Sequence, residues 1–506
     1  MGSVAKILSV APVGYEGYIV EVESDMTKGL PGLSIVGLGN KAIDEAKDRV
    51  RSAITNSLFE YPARKLTINL APAELPKDGS HYDLPIALAI LCASGQLKQA
   101  ELANAIFAGE LALDGSIRAI NGAITVAETA RTAKISTVYL PMANASEATL
   151  VQGVEIIGVK NLKQLFLHLK KELVLEPTIE AEETDDTDAL KPDTPVLDDV
   201  IGQEAAKRAL TIAAAGNHNL LLSGSPGAGK TMLARILPSL LPALTKEERL
   251  AVTKIHSLAG YKMDRHTSRP FRSPHHTSSQ ISLTGGGTKP KPGEISLAHH
   301  GVLFLDEIPE YPRATLEALR QPLEDKKISV SRASGKATYP ADFILVATMN
   351  PCPCGYFGDQ VKECSCTTSQ VLSYQKRLSG PLLDRIDMSV SVGRVANAEL
   401  LNKKSSSHTQ HNLNKIMIQK ARDMQFTRYG SSVKNNGNLS SHEITSAIPL
   451  SSQVSSLLAT ATERLELSPR SYFKLIKVAR TIADLDESPE ILPPHMLEAI
   501  QYRRTS

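Results

Sequence analysis

Gly224-Ser225-Pro226-Gly227-Ala228-Gly229-Lys230-Thr231 decides how the rest of this chain is read. The spacing is G-x-x-x-x-G-K-T. The apolar run Asn219-Leu-Leu-Leu-Ser223 precedes it and a helical pattern from Met232 to Leu241 follows. A strand, a glycine-rich turn and a helix in that order form a cradle whose backbone N–H groups and helix N-terminus hold phosphate oxygens. In such a cradle Lys230 neutralises the β and γ phosphates of ATP, and Thr231 offers its hydroxyl to Mg2+. Residues Gly224 to Met232 are thus the expected nucleotide contacts, together with Ile201 and Gly202 at the head of the same domain.

Four further elements follow in a fixed order. Val302-Leu-Phe-Leu-Asp306-Glu307 is a strand that ends in two carboxylates, Asp306 for the metal and Glu307 to activate the attacking water. Thr348-Met349-Asn350 closes the next strand, where the Asn350 amide orients that water. Gly380-Pro-Leu-Leu-Asp-Arg385-Ile-Asp387 places Arg385 after a helix, where it suits an arginine finger acting on a neighbouring subunit's phosphate. Ser468-Pro469-Arg470 opens a late helix from which Arg470 senses the γ-phosphate. Singly, an acidic pair is a strand cap, an asparagine a turn residue and each arginine a solvated surface group. The order of all five specifies a P-loop ATPase of the AAA+ class.

Working outward, the chain has 506 residues, room for about three domains. With 42% hydrophobic and 22% charged residues the composition is that of a globular protein, and the net charge of +2 leaves any basic surface a local matter. No apolar run reaches the ~18 residues that span a bilayer, and the N-terminus lacks a signal peptide's apolar stretch, so a cytoplasmic location is expected. From Glu176 to Asp193, eight carboxylates face one lysine (Lys191), with prolines at 177, 192 and 195. Such a segment cannot bury enough apolar surface to offset its ordering and reads as a flexible linker, 173–196.

Before the linker, residues 1–172 alternate strand runs (Tyr18–Glu23, Leu33–Val36, Lys65–Leu70) with helical ones (Lys41–Leu58, Leu84–Cys92), an α/β domain. After it, 197–400 carry the nucleotide motifs on hydrophobic strands suited to a parallel sheet covered on both faces. Residues 401–506 read as a polar connection and a helical lid. Cys352-Pro-Cys354 and Cys364-Ser-Cys366, nine residues apart, offer four thiolates, a tetrahedral set suited to structural Zn2+. The sequence Lys327-Ile-Ser-Val-Ser, Ala333-Ser-Gly335, Ala337-Thr-Tyr is a hairpin signal with Arg332 and Lys336 near its tip. Lys289 and Lys291 form a second basic pair. His275-His276 and His299-His300 are read as structural pairs. Asp387-Met-Ser389-Val-Ser391 matches an integrin-type metal pattern, but it stands on an alternating strand and is taken as coincidence.

Across nearly the whole chain the sequence resembles the ComM/YifB family of magnesium-chelatase-like AAA+ ATPases. The resemblance rests on Gly32-Leu-Ser-Ile-Val-Gly-Leu, Leu70-Ala-Pro-Ala, Arg269-Pro-Phe-Arg-Ser-Pro-His-His-Thr, Gly293-Glu-Ile-Ser-Leu-Ala-His, Asn350-Pro-Cys-Pro-Cys-Gly and Leu378-Ser-Gly-Pro-Leu-Leu-Asp-Arg-Ile-Asp. It implies a homo-hexameric ring that drives branch migration of DNA during recombination and natural transformation. It also implies a similar cysteine cluster, while the Lys327–Tyr339 hairpin resembles the pre-sensor hairpin that related ring helicases point into their pore. For the DNA partner so implied, Arg332 and Lys336 are the first candidate contacts and Lys289 and Lys291 the second. The first domain resembles the Lon protease domain (a ribosomal S5 domain 2-like fold) through Lys77-Asp-Gly-Ser80-His81 and Ala108-Gly-Glu-Leu-Ala-Leu-Asp-Gly-Ser-Ile-Arg118. Here His81 takes the nucleophile's place and Ile124 the lysine's. A serine nucleophile needs a base in reach, so the domain is read as a non-proteolytic platform. Two rival readings are a chelatase-type motor for metal insertion and a Lon-like ATP-dependent protease.

Overall fold

The computed structural model describes residues 4–37, 41–77, 79–179, 194–261, 268–287, 291–332, 335–359, 361–394, 408–431 and 433–503, with only the backbone described at 41–44, 331–332 and 335–336. Most of the acidic linker, 180–193, and Lys289 lie outside these residues.

The first domain is built on a mixed sheet. Its strands are β1 (Ala5–Val13), β2 (Glu16–Thr27), β3 (Gly32–Val36), β4 (Lys65–Ala71) and β5 (Ala105–Phe107). The short ribbon β6 (Glu110–Leu111) and β7 (Ile117–Arg118) stands apart, and β8 (Thr137–Pro141) and β9 (Glu155–Val159) complete the sheet in the order β3-β4-β2-β1-β5-β8-β9. The helices α1 (Lys41–Asn56), α2 (Asp83–Ala93), α3 (Ala123–Thr132), α4 (Met142–Ala148) and α5 (Leu162–Leu169) cover it. Alternate residues of β1 supply two cores: Ile7 and Ala11 pack with α1 and α2, while Val10 packs with α3 and α4. Ile124, expected from the sequence to stand where a protease would have its lysine, is a fully buried core residue of α3. His81 is also buried, its Nε2 3.0 Å from the Val10 carbonyl oxygen, while Ser80 donates to Glu110 and Lys77 to the Pro72 carbonyl.

The second domain begins with α6 (Glu204–Gly216), then β10 (Leu220–Ser223), α7 (Lys230–Leu240) and α8 (Lys246–Ala259). It continues through β11 (Phe271–Arg272), the ribbon β12 (Gly285–Gly286) and β13 (Lys291–Pro292), β14 (Val302–Leu305), the hairpin β15 (Lys327–Arg332) and β16 (Gly335–Pro340), β17 (Ile344–Met349) and β18 (Met388–Ser391). The order β11-β14-β17-β10-β18 is parallel throughout. β14 and β17 are buried along their whole length, as continuous apolar runs in a doubly covered parallel sheet should be. Leu220 and Leu222 face the layer of α6, α7 and the lid, and Leu221 faces the opposite layer with Leu303 and Leu345. The lid is the helical region that holds Thr409–Tyr429, Ser441–Ala447, Ser452–Arg464, Pro469–Leu485 and Pro493–Gln501. The result is the expected mixed α/β chain with a parallel nucleotide-type sheet and a helical C-terminal region.

The two domains touch through α8. Lys254 donates to Glu128 of α3 at 2.5 Å and lies 3.9 Å from the centre of the Tyr15 ring. The Gly122 N–H donates to the Ser257 hydroxyl at 3.2 Å. Gly14, in the turn between β1 and β2 with φ +65°, lies so close to β16 that a Cβ there would meet the Ala337 Cβ at 2.7 Å.

Candidate nucleotide site

Six glycine-rich residues, Gly224 to Gly229, turn the chain from β10 into α7. Gly227 and Gly229 have φ of +78° and +88°, a left-handed backbone that other residues adopt at a cost. Gly224 has a different reason to be glycine, because a Cβ there would come within 2.2 Å of the Val392 carbonyl oxygen just past β18. The loop thus sits against the sheet and opens at the N-terminus of α7.

Lys230 is buried and its Nζ donates to the carbonyls of Gly224 (2.6 Å) and Ser225 (3.0 Å) and to the Asn350 Oδ1 (3.1 Å). Burial holds its pKa below the usual lysine range, with the Asp306 and Glu307 charges opposing that shift. Thr231 donates its hydroxyl to Asp306 at 3.2 Å, and the Asn350 Nδ2 donates to Glu307 at 3.4 Å. Thr348, fully buried at the end of β17, joins the two acidic residues: its hydroxyl donates to Asp306 and accepts the Glu307 N–H at 2.9 Å. Glu307 itself has φ +49° and an exposed side chain, so it projects from the end of β14 toward solvent. Lys230, Thr231, Asp306, Glu307 and Asn350, drawn from three neighbouring strands, therefore form one connected network. Thr348 belongs to it and the sequence reading assigned it no part. Ile201 and Gly202 lie in the turn before α6, where the next residue, Gln203, donates to the Gly393 carbonyl at 2.5 Å.

The two arginines are held elsewhere. Arg385 donates to the Pro381 carbonyl at 2.6 Å and to Glu324, and Arg470 reaches the same Glu324 at 3.5 Å. Glu324, which the sequence reading also passed over, stands in the helix Arg320–Asp325 that leads into β15. Arg385 and Arg470 thus share one carboxylate, and their described partners are not members of the Lys230 network.

The four clustered cysteines come together. Their Sγ atoms lie within 4.8 Å of one another, with Cys352–Cys354, Cys352–Cys364 and Cys354–Cys364 at 3.4, 3.7 and 3.6 Å. A tetrahedron of thiolates about 2.3 Å from a zinc ion has edges of about 3.8 Å, so the set fits that metal. The Tyr356 N–H also draws the Cys354 thiol down toward the thiolate a metal requires.

The β15–β16 hairpin forms at the expected place, with Arg332 opposite Gly335 and Ser331 opposite Lys336. Lys291 is exposed in β13, paired in register with Gly286. The rings of each histidine pair pack against each other at a tilt: His275 and His276 at 4.1 Å between ring centres and 33°, His299 and His300 at 3.8 Å and 35°, with the His299 Nδ1 accepting the Asp342 N–H. Asp387 accepts the Asn219 N–H at 2.9 Å ahead of β18, a sheet contact in keeping with coincidence for the integrin-type pattern.

Three family profiles match this chain: "Magnesium chelatase, subunit ChlI" over residues 196–400, "Subunit ChlI of Mg-chelatase" over 22–144 and "Magnesium chelatase, subunit ChlI C-terminal" over 408–503. The competence protein ComM of Haemophilus influenzae is 43% identical over 505 residues, covering 99% of this chain and 97% of its own. YifB of Escherichia coli is 45% identical, covering 97% and 96%. The magnesium-chelatase 67 kDa subunit of Chlorobaculum parvum is 26% identical over 157 residues, 30% of this chain and 23% of its own.

Proposed function

This chain belongs to the ComM/YifB family of magnesium-chelatase-like AAA+ ATPases, and from that premise we propose that it is a hexameric motor that couples ATP hydrolysis to branch migration of DNA in recombination and natural transformation. The observation that carries the multi-subunit reading is the separation of the cis network from the arginines. Lys230, Thr231, Asp306, Glu307 and Asn350 are connected within one chain, whereas Arg385 and Arg470 meet on Glu324. A ring supplies the missing partner by presenting the arginine pair of one subunit to the phosphates of the next.

In this reading the loop 224–231 wraps the phosphates and Lys230 exchanges its two carbonyl partners for phosphate oxygens. Thr231 and Asp306 would hold Mg2+, which neutralises phosphate charge when bound. Glu307 accepts the proton of the attacking water, and Asn350, bonded to both Lys230 and Glu307, orients that water toward the γ-phosphate. Cys352, Cys354, Cys364 and Cys366 would hold a structural Zn2+. The β15–β16 hairpin supplies the DNA contact, through Arg332 and Lys336. The first domain, with Ile124 in its core where a catalytic lysine would stand, acts as a platform rather than a protease.

The DNA reading draws support from full-length likeness to a protein named for competence. Likeness to the chelatase 67 kDa subunit covers 30% of the chain. ATP turnover should be measured alone and with single-stranded, duplex and four-way-junction DNA. Stimulation greatest with the junction is expected. Rates indifferent to all three would remove the DNA motor, and stimulation by a porphyrin instead would favour a chelatase-type motor.

A further inference from the structure

Three consecutive residues of the phosphate loop are each held from outside it. Gly224 lies against the Val392 carbonyl past β18, as described above. Ser225, buried, adds its side chain to the Val361 and Lys362 N–H groups that hold the Asp359 carboxyl below the usual carboxylate range. Pro226 packs on Gly355, where an added Cβ would meet the Pro226 Cδ at 2.6 Å and Cγ at 2.7 Å. Asp359 and Gly355 both belong to the segment that the four cysteines enclose.

Gly355 has φ +86° and closes a turn in which its N–H donates to the Cys352 carbonyl at 3.0 Å. It is therefore glycine for two independent reasons, its backbone and its neighbour. The Asp359 carboxylate is 4% exposed and accepts the N–H groups of Val361 (2.9 Å) and Lys362 (3.1 Å), with Arg394 at 3.3 Å on its other oxygen. Arg394 follows β18, and both Arg394 and Lys362 lie over the Tyr356 ring, at 5.4 and 4.2 Å. A short segment poor in buried apolar residues keeps such a shape only if something closes it, and the four cysteine sulfurs that flank it are placed to do so around a metal.

We propose that the cysteine-enclosed segment is a brace for the phosphate loop: Asp359 and Gly355 are positioning residues that hold Ser225 and Pro226 in the ATP-binding shape, so nucleotide affinity depends on the cluster being closed around its metal. The proposal rests on the zinc reading for how the brace is closed. It rests on the described contacts of Asp359 and Gly355 for what the brace does. Asn350, immediately before the cluster and bonded to Lys230, ties the same segment to the network from its other end.

The test is binding of a slowly hydrolysed fluorescent ATP analogue to the full-length protein, with zinc counted by a chromogenic chelator under reducing conditions and folding followed by circular dichroism. Stripping the metal should weaken binding about tenfold, which is about 1.4 kcal/mol and the size of a hydrogen bond. Restoring Zn2+ should restore binding. Asp359→Ala should keep its zinc yet bind ATP comparably weakly, and stripping it should add little, since both changes act on one contact. Asp359→Asn keeps an oxygen to accept from Ser225 and should retain most of the affinity. The brace is overturned if Asp359→Ala binds like wild type, or if stripped, folded protein does. Freshly purified wild type without zinc would remove the metal reading alone, and the Asp359 variants would then decide the brace.

Discussion

Thr348 donates its hydroxyl hydrogen to Asp306 and receives the Glu307 N–H on the same oxygen, so one side chain holds the Asp306 carboxylate and the backbone that carries Glu307. Thr348→Val keeps the shape and removes both bonds. It should leave ATP affinity near wild type, because the Lys230 contacts are intact. Turnover should fall between about tenfold and a hundredfold, the cost of one or two lost hydrogen bonds. Thr348→Ser should recover most of it. Steady-state kcat alongside analogue binding checks this, and a loss confined to affinity would count against the role. Glu307→Gln should do the same more severely, by removing the proton acceptor. The sequence made Glu307 and Asn350 legible because each has a recognisable place at a strand end. Thr348 carries no such signal, because a threonine on an apolar strand reads equally well as a β-former, and its partner lies 42 residues away. Glu324 was illegible for the same reason. Its meaning comes from Arg385 and Arg470, distant in sequence.

Among the elements, β14, β17 and β10 were legible as short apolar runs, and the β15–β16 hairpin as a turn signal between alternating residues. The register Arg332↔Gly335 puts the turn where that signal placed it. β5 and β9 were not picked out. Ala105–Phe107 is three buried residues, and its identity as a strand lies in its pairing with β1 and β8, not in any local period. Helix α8 carried no motif at all, yet with the Gly14 approach to β16 it is where the two domains touch. Lys254 explains why: 6% exposed, it is satisfied jointly by Glu128 and the face of Tyr15, both in the other domain. Lys254→Ala leaves Glu128 without that partner and should cost about 3 kcal/mol of interdomain stability, as in other broken buried pairs. Denaturant unfolding should then separate into two transitions, with ATP binding by the second domain retained. A single transition at the wild-type midpoint would show that α8 does not join the domains energetically.

For the whole molecule, the proposed ring makes two demands. If Arg385 acts on a neighbour's phosphate, rings of Arg385→Ala alone and of Lys230→Ala alone should both be inactive. Mixing them should restore part of the ATPase, since some interfaces then combine an intact loop with an intact arginine. No recovery at any ratio would count against action in trans. The second demand concerns charge. A chain with net charge +2 has little long-range attraction for DNA, so a motor built from it must concentrate its positive residues where the strand passes. Closed symmetry does this without further contacts, because equivalent hairpin tips gather around one axis. Arg332 and Lys336 flank that tip in the backbone register, opposite Gly335 and Ser331. Their phosphate contacts would be indifferent to sequence and sensitive to salt. Arg332→Ala with Lys336→Ala should therefore weaken junction binding and branch migration equally on unrelated sequences. It should also make the salt dependence of binding shallower, while ATPase without DNA stays near wild type. If the double variant moves junctions as wild type does, the strand does not run past this hairpin. The β12–β13 ribbon with Lys291 is then the next surface to change.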